Sequence, residues 1–350
     1  MPAVPAPAKV LVTGASGFLA AHVVKAFLSR GYTVLGTVRS PSKGDYLKRL
    51  YEPEFPGKFD YVVVKDIAEP GAFDEAVKDV DAVAHTASPV TFSGDTPAEE
   101  VIGPAVAGTV EILKSIRAHG PRVQRIVVTS SFAALLQPHD GPYEYSDKDW
   151  NDFSVNEART NPAASGVHKY RASKVLAERA LWDYIANEKP PFDAITVNPP
   201  FIYGPLIHEI NSLDQLNLSS QLIWDRFAKE LPESELATYT GNAIDVRDVA
   251  DVHVDAIQKP ELAGRRLVIG VGAVANQDFY DAAHEAGDLP NLPFPIPRGK
   301  PGAADAARPS FVQISPDSAR LLGREGKFIG LPQMVKETLQ SIVDRGLVTV

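Results

Sequence analysis

Tyr170 and Lys174 stand four residues apart in the segment YRASK, a spacing that places both on one face of a helix with Cβ atoms about 5–6 Å apart. A free phenol has a pKa of about 10, and an adjacent ammonium favours phenolate and lowers that value. A phenol tuned in this way can deliver a proton to a carbonyl oxygen near neutral pH. General acid catalysis of this kind is worth roughly 10²–10⁴ in rate. Ser130 and Ser131 directly follow a strand-like run over residues 125–129. A hydroxyl there can hydrogen-bond both a carbonyl substrate and the Tyr170 phenol. Each feature alone has a plainer reading. The Tyr/Lys pair could be a surface helix pair, and Thr129-Ser130-Ser131 a polar strand end with local caps. No G-x-S-x-G elbow surrounds either serine, which argues against a serine hydrolase.

Such residues need a scaffold and a reactant, and residues 9–24, KVLVTGASGFLAAHVV, provide the first pointer. Val10, Leu11 and Val12 read as a buried strand. Gly14 and Gly17 mark a turn, and Phe18, Leu19, Ala20, Val23 and Val24 open a helical apolar pattern. Strand, glycine turn and helix aim a helix N-terminus at a phosphate. Gly14 permits the tight turn, Gly17 lets backbone N–H groups approach a pyrophosphate, and Ala20 lets helix and strand pack closely. The spacing is G-x-x-G-x-x-A, which departs from the G-x-G-x-x-G dinucleotide fingerprint.

Arg39 ends a second predicted strand, roughly 20 residues past the glycine turn, where an NAD site places an acidic residue for the ribose 2′-OH. A guanidinium suits a 2′-phosphate because its planar fork donates twice to the oxygens. Ser40 and Lys43 follow it. The alternative is a pair of solvated loop charges. Asp66, after the third predicted strand, can accept from an adenine amino group or cap the next turn. The run His85-Thr86-Ala87-Ser88-Pro89 ends a fourth strand. Its small residues would line the crevice at the carboxyl end of a parallel sheet. His85 and His22 read as structural.

The chain has 350 residues, 44% hydrophobic and 23% charged, enough for a large core in one or two domains. Its net charge of −9 argues against a general nucleic-acid binder. It has no cysteine, so disulfides, thiolate metal sites and cysteine nucleophiles are excluded. Residues 1–8 read as a loose leader without the features of a signal peptide, and no apolar run has the ~18 residues of a membrane span.

Strand and helix signals alternate through the first two hundred residues. Strands are expected at 33–38, 61–65, 82–86, 125–129 and 194–197. Helices are expected where Ala72, Phe73, Ala76, Val77 and Val80 have helical spacing, at 97–119 and at 167–187. This alternation argues for a parallel sheet with helices on both faces. Residues 132–166 read as a long loop. A helix at 246–258, a strand at 266–269, and helices at 316–322 (capped by Ser315) and 334–344 follow, with a Pro/Gly-rich stretch at 287–310. A second, smaller lobe is expected after about residue 200.

The segments VTGASGFLAAHVV, GTVRSPSK, HTASP, VTSSFAA, YRASK, VNPPFIYGP and IDVRDVA, in this order, resemble the extended short-chain dehydrogenase/reductase superfamily. Within it the similarity is to fungal NADPH-dependent methylglyoxal and carbonyl reductases and to plant dihydroflavonol reductases. It covers about residues 9–345. The resemblance implies an α/β fold of Rossmann type, a doubly wound parallel sheet with a smaller, mostly C-terminal substrate lobe. Residues 9–200, with contributions from about 240–272, would bind NADP, and 201–239 with 273–350 would bind substrate. It implies Ser131 as the carbonyl-polarising serine, Tyr170 as proton donor, and Lys174 as the residue that tunes Tyr170 and holds the nicotinamide ribose. Gly14, Ala15, Ser16, Gly17, Phe18 and Leu19 would cradle the pyrophosphate, and Arg39 and Lys43 would take the 2′-phosphate. Asp66 and Ile67 would flank adenine, and Thr86, Ala87 and Ser88 would lie along the dinucleotide. Pro199 and Ile202 would pack near the nicotinamide, and Ser219 would reach a phosphate. Val90, Phe92, Phe132, Phe201 and Trp224 are the implied substrate-pocket residues, although an aromatic on a helix, such as Trp224, is usually core.

The implied activity is NADPH-dependent reduction of a ketone or aldehyde to an alcohol, with NADPH/NADP+ as cofactor and no metal. The expected partner is a small carbonyl compound rather than nucleic acid or membrane, for a cytoplasmic monomer or homodimer. Two departures stand out. Many relatives have Asn where this chain has Ala107, so a proton relay through that side chain is lost. Phe132 and Phe201 stand where some relatives carry tyrosines, which makes the pocket drier and favours hydrophobic ketones. The competing readings are a nucleotide-sugar epimerase or dehydratase, which Arg39 disfavours, and a non-catalytic NADP sensor, which the intact Ser131, Tyr170 and Lys174 set disfavours.

Overall fold

The structure, a computed structural model, describes residues 3–89 and 95–348. In chain order the first elements are β1 (Lys9–Thr13), α1 (Phe18–Ser29), β2 (Thr33–Val38), α2 (Pro41–Tyr51), β3 (Phe59–Val63), β4 (Ala82–His85), α3 (Ala98–His119) and β5 (Arg125–Thr129). Next come β6 (Glu144–Tyr145), α4 (Asp152–Thr160), α5 (Gly166–Glu188), β7 (Asp193–Asn198), β8 (Phe201–Tyr203), α6 (Leu218–Ala228), α7 (Glu233–Leu236) and β9 (Tyr239–Asp245). The chain closes with α8 (Val246–Gln258), β10 (Arg266–Val268), β11 (Gly272–Ala275), α9 (Asn276–Ala286), β12 (Gln313–Ile314), α10 (Asp317–Leu322) and α11 (Leu331–Asp344).

A seven-stranded sheet has the order β10-β7-β5-β4-β1-β2-β3. β1 pairs in parallel with β2 on one side (Val10 opposite Val34) and with β4 on the other (Val10 opposite Ala82). The direction of winding therefore reverses at β1, and the strand ends beside it open the crevice in which such sheets bind ligands. The strands read as continuous apolar runs because helices cover both faces. Leu11, Val83, Ile126 and Ala194 pack with Ile112, Leu113 and Ile116 of α3 and Leu181 of α5 in one core.

The chain divides into two compact units. The first comprises Met1–Pro138, Asp147–Asn198 and Ala250–Leu267. The second comprises His139–Ser146, Pro199–Val249 and Val268–Val350. In the second, β11, β9 and β8 form a three-stranded sheet, and β6 pairs with β12. Gly204 donates its N–H to the Thr338 hydroxyl of α11 at 3.0 Å, which ties β8 to the terminal helix. The pairing of β6 with β12 draws residues 139–146 out of the stretch expected to be nucleotide-binding.

Several expectations need correction. The segment around Phe73 is a succession of turns rather than a helix. Pro70 and Gly71 (φ +76°) start it, and the bonds from Ala72 N–H to Glu69 O and from Asp74 N–H to Gly71 O span three residues. Phe73, Ala76, Val77 and Val80 are nonetheless core residues, so the spacing identified burial but not conformation. The third strand begins two residues earlier than expected, at Phe59. The loop at 132–166 contains α4, whose sequence DFSVNEART offers only Val155 and Ala158 as buried apolar residues. Asn151 caps this helix by accepting from Ser154 N–H at 2.9 Å. The leader is not loose at Val4, which is buried, donates to Ile257 O at 3.1 Å and accepts from the Tyr32 hydroxyl at 2.7 Å.

Arg125 is fully buried in β5. It forms a two-pronged pair with Asp193 at 2.6 and 2.9 Å and donates to the carbonyls of Ala256 and Lys259 at 2.9 and 2.7 Å. Asp193→Asn leaves this guanidinium without its counter-charge and should cost about 3–5 kcal/mol. The check is a lowered denaturation midpoint with normal turnover per folded molecule; an unchanged midpoint contradicts it.

Candidate active site

β1 ends at Thr13, and the chain then turns at Gly14, whose φ is +65°. A Cβ at Gly14 would lie 3.1 Å from the Cβ of Ala87, so both backbone freedom and space require glycine. Gly14 N–H donates to the Thr37 hydroxyl at 3.0 Å, and Ala15 N–H to Thr37 O at 2.9 Å. α1 starts after Gly17 with no side-chain cap. Its first-turn N–H groups therefore face outward beside the half-buried Ser16, Phe18 and Leu19. Gly36 keeps this turn seated on β2, since a Cβ there would come 2.8 Å from Ala15 Cβ.

The Thr13 hydroxyl accepts the N–H groups of Thr86 and Ala87 at 3.1 and 3.0 Å and lies 3.0 Å from His85 Nδ1. With two donors on its oxygen, its proton goes to His85, which is held as the neutral Nε2–H tautomer. Burial, reinforced by the Lys174 charge, pushes the His85 pKa down to about 3. His85 is structural, as expected: it fixes the segment that packs on Gly14.

The two serines after β5 separate cleanly. Ser130 is buried and donates to Glu178 Oε2 at 2.5 Å. Ser131 accepts from Ala133 N–H at 3.1 Å, caps the short turn over Phe132–Ala134, and stands near enough to the Tyr170 phenol to lower its pKa. Lys174, one turn along α5, has its ammonium 5.6 Å from the Tyr170 ring centroid and donates to the Ser88 hydroxyl at 2.8 Å. Lys174 is buried, and desolvation lowers its pKa to about 8. Burial raises the Tyr170 pKa, and the Ser131 side chain only partly opposes this. That reverses the expected direction: in this chain burial of the phenol dominates.

The sequence profile of the NAD-dependent epimerase/dehydratase family matches residues 10–270. An NADPH-dependent methylglyoxal reductase of Saccharomyces cerevisiae is 33% identical over 345 residues, 95% of this chain and 98% of that protein. The chain belongs to the NAD-dependent epimerase/dehydratase family. A ketoreductase of Aspergillus niger is 38% identical over 78% of this chain and 81% of its own. The crystal structure of Gre2 from Candida albicans in complex with NADPH superposes with a TM-score of 0.84 at 35% identity, covering 97% of this chain and 99% of that one.

The remaining residues implied by this family lie as follows. Arg39 is exposed between β2 and α2, with no hydrogen-bond or ion-pair partner among the described residues, and Lys43 is in the first turn of α2. Asp66 is exposed and accepts from Ala68 N–H at 2.9 Å, so it caps a turn. Ile67 packs on Gly108 of α3, where a Cβ would come within 2.8 Å of it. Thr86 donates its hydroxyl to Thr13 O. Ala107 is half-buried on α3, and Phe132 is buried. Val90 and Phe92 lie outside the described residues.

Pro199, Phe201, Ile202, Ser219 and Trp224 belong to the second unit. The Ser219 hydroxyl is engaged there, donating to Ile202 O at 2.5 Å and accepting from Asn217 at 2.8 Å. The Phe201 ring packs over Gly241, where a Cβ would lie 2.7 Å away. Trp224 is buried on α6 against Phe294, as a core aromatic.

Three residues escaped the sequence reading: Glu178, Asn198 and Arg266. Glu178 and Asn198 meet at 2.7 Å, and Arg266 Nε donates to Glu178 at 2.5 Å. Only the position of Glu178, four residues after Lys174, was available as a signal.

Lys174 binds fewer protons in the folded state than in the unfolded one between about pH 8 and its usual value of 10.5, so its contribution to stability rises with pH across that window. At pH 7 the buried ammonium costs of order 3 kcal/mol. Lys174→Met should therefore raise the thermal midpoint at pH 7 and flatten the stability profile above pH 8. Thermal unfolding across that range checks it, and a lowered midpoint at pH 7 counts against the burial cost.

Proposed function

We propose that this protein is an NADPH-dependent carbonyl reductase that converts a ketone or aldehyde to the alcohol. The observation that carries the reading is the convergence of Ser131, Tyr170 and Lys174: the Lys174 ammonium lies 5.6 Å from the Tyr170 ring centroid, and Ser131 stands near enough to the phenol to lower its pKa. The similarity to reductases over nearly the whole chain supports it.

The residues present fit the cofactor. The uncapped start of α1 and the Gly14 turn, which a Cβ would fill, suit a pyrophosphate. Gly14, Ala15, Ser16, Gly17, Phe18 and Leu19 hold it there. The exposed Arg39 guanidinium, with Lys43, holds a 2′-phosphate. Asp66 and Ile67 flank the adenine, and Thr86, Ala87 and Ser88 line the path of the dinucleotide. Ser219 would have to release its hydrogen bond to Ile202 O before it could donate to a phosphate.

The bound cofactor supplies two-electron reduction at the carbonyl carbon. Ser131 donates a hydrogen bond to the substrate oxygen. Tyr170, kept protonated by its raised pKa, transfers its proton to that oxygen. Lys174 holds the ribose and stabilises the phenolate that remains. The buried Phe132, which carries no hydroxyl, favours hydrophobic carbonyl compounds. No helix among the described residues is long and apolar enough to cross a membrane. We place the enzyme in the cytoplasm as a monomer or homodimer.

Tyr170→Phe should lower kcat by at least about 10²-fold while NADPH affinity stays within about twofold. NADPH oxidation with a panel of aldehydes, diketones and aryl ketones reads this out, and near-normal turnover overturns the assignment. Arg39→Ala should raise KM for NADPH about tenfold or more and leave KM for NADH nearly unchanged. Equal effects on both cofactors would rule out the 2′-phosphate contact.

A further inference from the structure

We propose that Glu178 is a positioning residue for the Ser131–Tyr170 pair: its carboxylate clamps the ends of β5 and β7 to the helix that carries Tyr170 and Lys174. The inference rests on the reading of Ser131 and Tyr170 as the reactive pair.

Tyr170, Lys174 and Glu178 are spaced four apart on α5 and so share one stripe of that helix. The Glu178 side chain is fully buried. Its Oε2 accepts from the Ser130 hydroxyl at 2.5 Å and from Asn198 Nδ2 at 2.7 Å. Its Oε1 accepts from Arg266 Nε at 2.5 Å and from Trp182 Nε1 at 3.3 Å. The Thr196 hydroxyl, with one proton, lies 2.9 Å from Asn198 Oδ1 and 3.2 Å from Glu178 Oε1, so it sits between the two acceptors. Asn198 Nδ2 also lies 3.3 Å from the Ser131 carbonyl.

The geometry of Ser131 follows from these contacts. Its backbone is extended, with φ −159° and ψ 151°, and consecutive side chains on an extended backbone point to opposite faces. Holding the Ser130 hydroxyl against Glu178 anchors the end of β5 to α5 one residue before Ser131, and so fixes where Ser131 stands relative to Tyr170 on the same helix. The carbonyl of Ser131 is steadied through Asn198. One carboxylate thus sets the distance between a strand end and a helix, and the two reacting hydroxyls ride on those two elements. A displacement of about 1 Å in such an arrangement costs about 10²-fold in rate.

A carboxylate buried this deeply requires a counter-charge. Arg266 provides it, and the guanidinium is held in turn by the carbonyls of Asp147 and Asp149 at 2.7 and 2.8 Å and by the Trp150 ring at 3.8 Å. Arg266 neutralises the charge, and the hydroxyl and amide donors satisfy the remaining lone pairs of the carboxylate. The two bonds that reach the Ser130–Ser131 strand end add nothing to charge neutralisation. They account for a carboxylate at this position of α5.

The test separates positioning from stability. Glu178→Gln removes the charge and replaces one accepting oxygen by an amide donor, and Ser130→Ala and Asn198→Ala each break one arm of the clamp while keeping the Glu178–Arg266 pair. Ser130→Thr restores the hydroxyl. Turnover is followed with NADPH and methylglyoxal or an aryl ketone, alongside thermal unfolding. Ser130→Ala and Asn198→Ala should each lower kcat about tenfold, with KM for NADPH within about twofold and an intact folding transition, and Ser130→Thr should recover most of the loss. Glu178→Gln should lose about 100-fold if it folds. Wild-type kcat in both alanine variants overturns the proposal, as does a loss that Ser130→Thr does not recover. If Tyr170→Phe retains turnover, the reading of the reactive pair fails; if Tyr170→Phe is inactive while Ser130→Ala is fully active, only the positioning role fails.

Discussion

The hydroxyl of Thr13 sits where β1 ends, and it receives the backbone N–H groups of Thr86 and Ala87 from the exit of the neighbouring β4. Because β1 pairs with β2 on one side and β4 on the other, the chain leaving β1 and the chain leaving β4 depart side by side. Without a bond between them, the glycine turn would have no wall. With it, Ala87 comes within contact distance of Gly14, and a side chain at Gly14 is excluded. The His85 ring, neutral and buried, accepts a hydrogen bond from the Thr13 hydroxyl at Nδ1 and leaves the lone pairs of that oxygen free to accept both amides. The phosphate-facing geometry of α1 depends on this arrangement.

The site is built from groups that are costly to bury, and each is handled differently. Arg125 is neutralised by Asp193 and satisfied by two carbonyls. Glu178 is neutralised by Arg266 and satisfied by hydroxyl and amide donors. Lys174 has a hydroxyl, that of Ser88, as its described hydrogen-bond acceptor, and its pKa falls in consequence. The structure thus stabilises charge where charge holds the scaffold and leaves it unstable where a proton equilibrium matters. Tyr170 follows the same logic, since burial favours the protonated phenol.

Much of the first unit was legible in the sequence, because its strands are short β-branched runs buried on both faces and its helices carry a clear apolar stripe. The strands at 33–38 and 125–129 and the helix at 246–258 appear with the expected bounds. The second unit was legible only in part. Its sheet of β8, β9 and β11 includes glycines at 241 and 272 and strands of three to seven residues, too brief for a period to emerge. α4 escaped because two buried apolar residues do not make a pattern. The Phe73 segment misled because the same spacing of apolar residues serves a turn-rich strip packed on α3 as well as a helix.

The sequence by itself determined the order of the strands in the first unit, the glycine turn, the arginine beyond it, and the pairing of Tyr170 with Lys174 on one helix face. These are local properties, encoded in residue type and spacing. Only the tertiary structure decided which serine faces Tyr170, in which direction the phenol titrates, and that Glu178 joins the set. Those outcomes depend on what packs against each group from elsewhere in the chain. Desolvation and long-range hydrogen bonds have no counterpart in spacing, so Ser130 and Ser131 became distinguishable only when α5 was laid against the ends of β5 and β7.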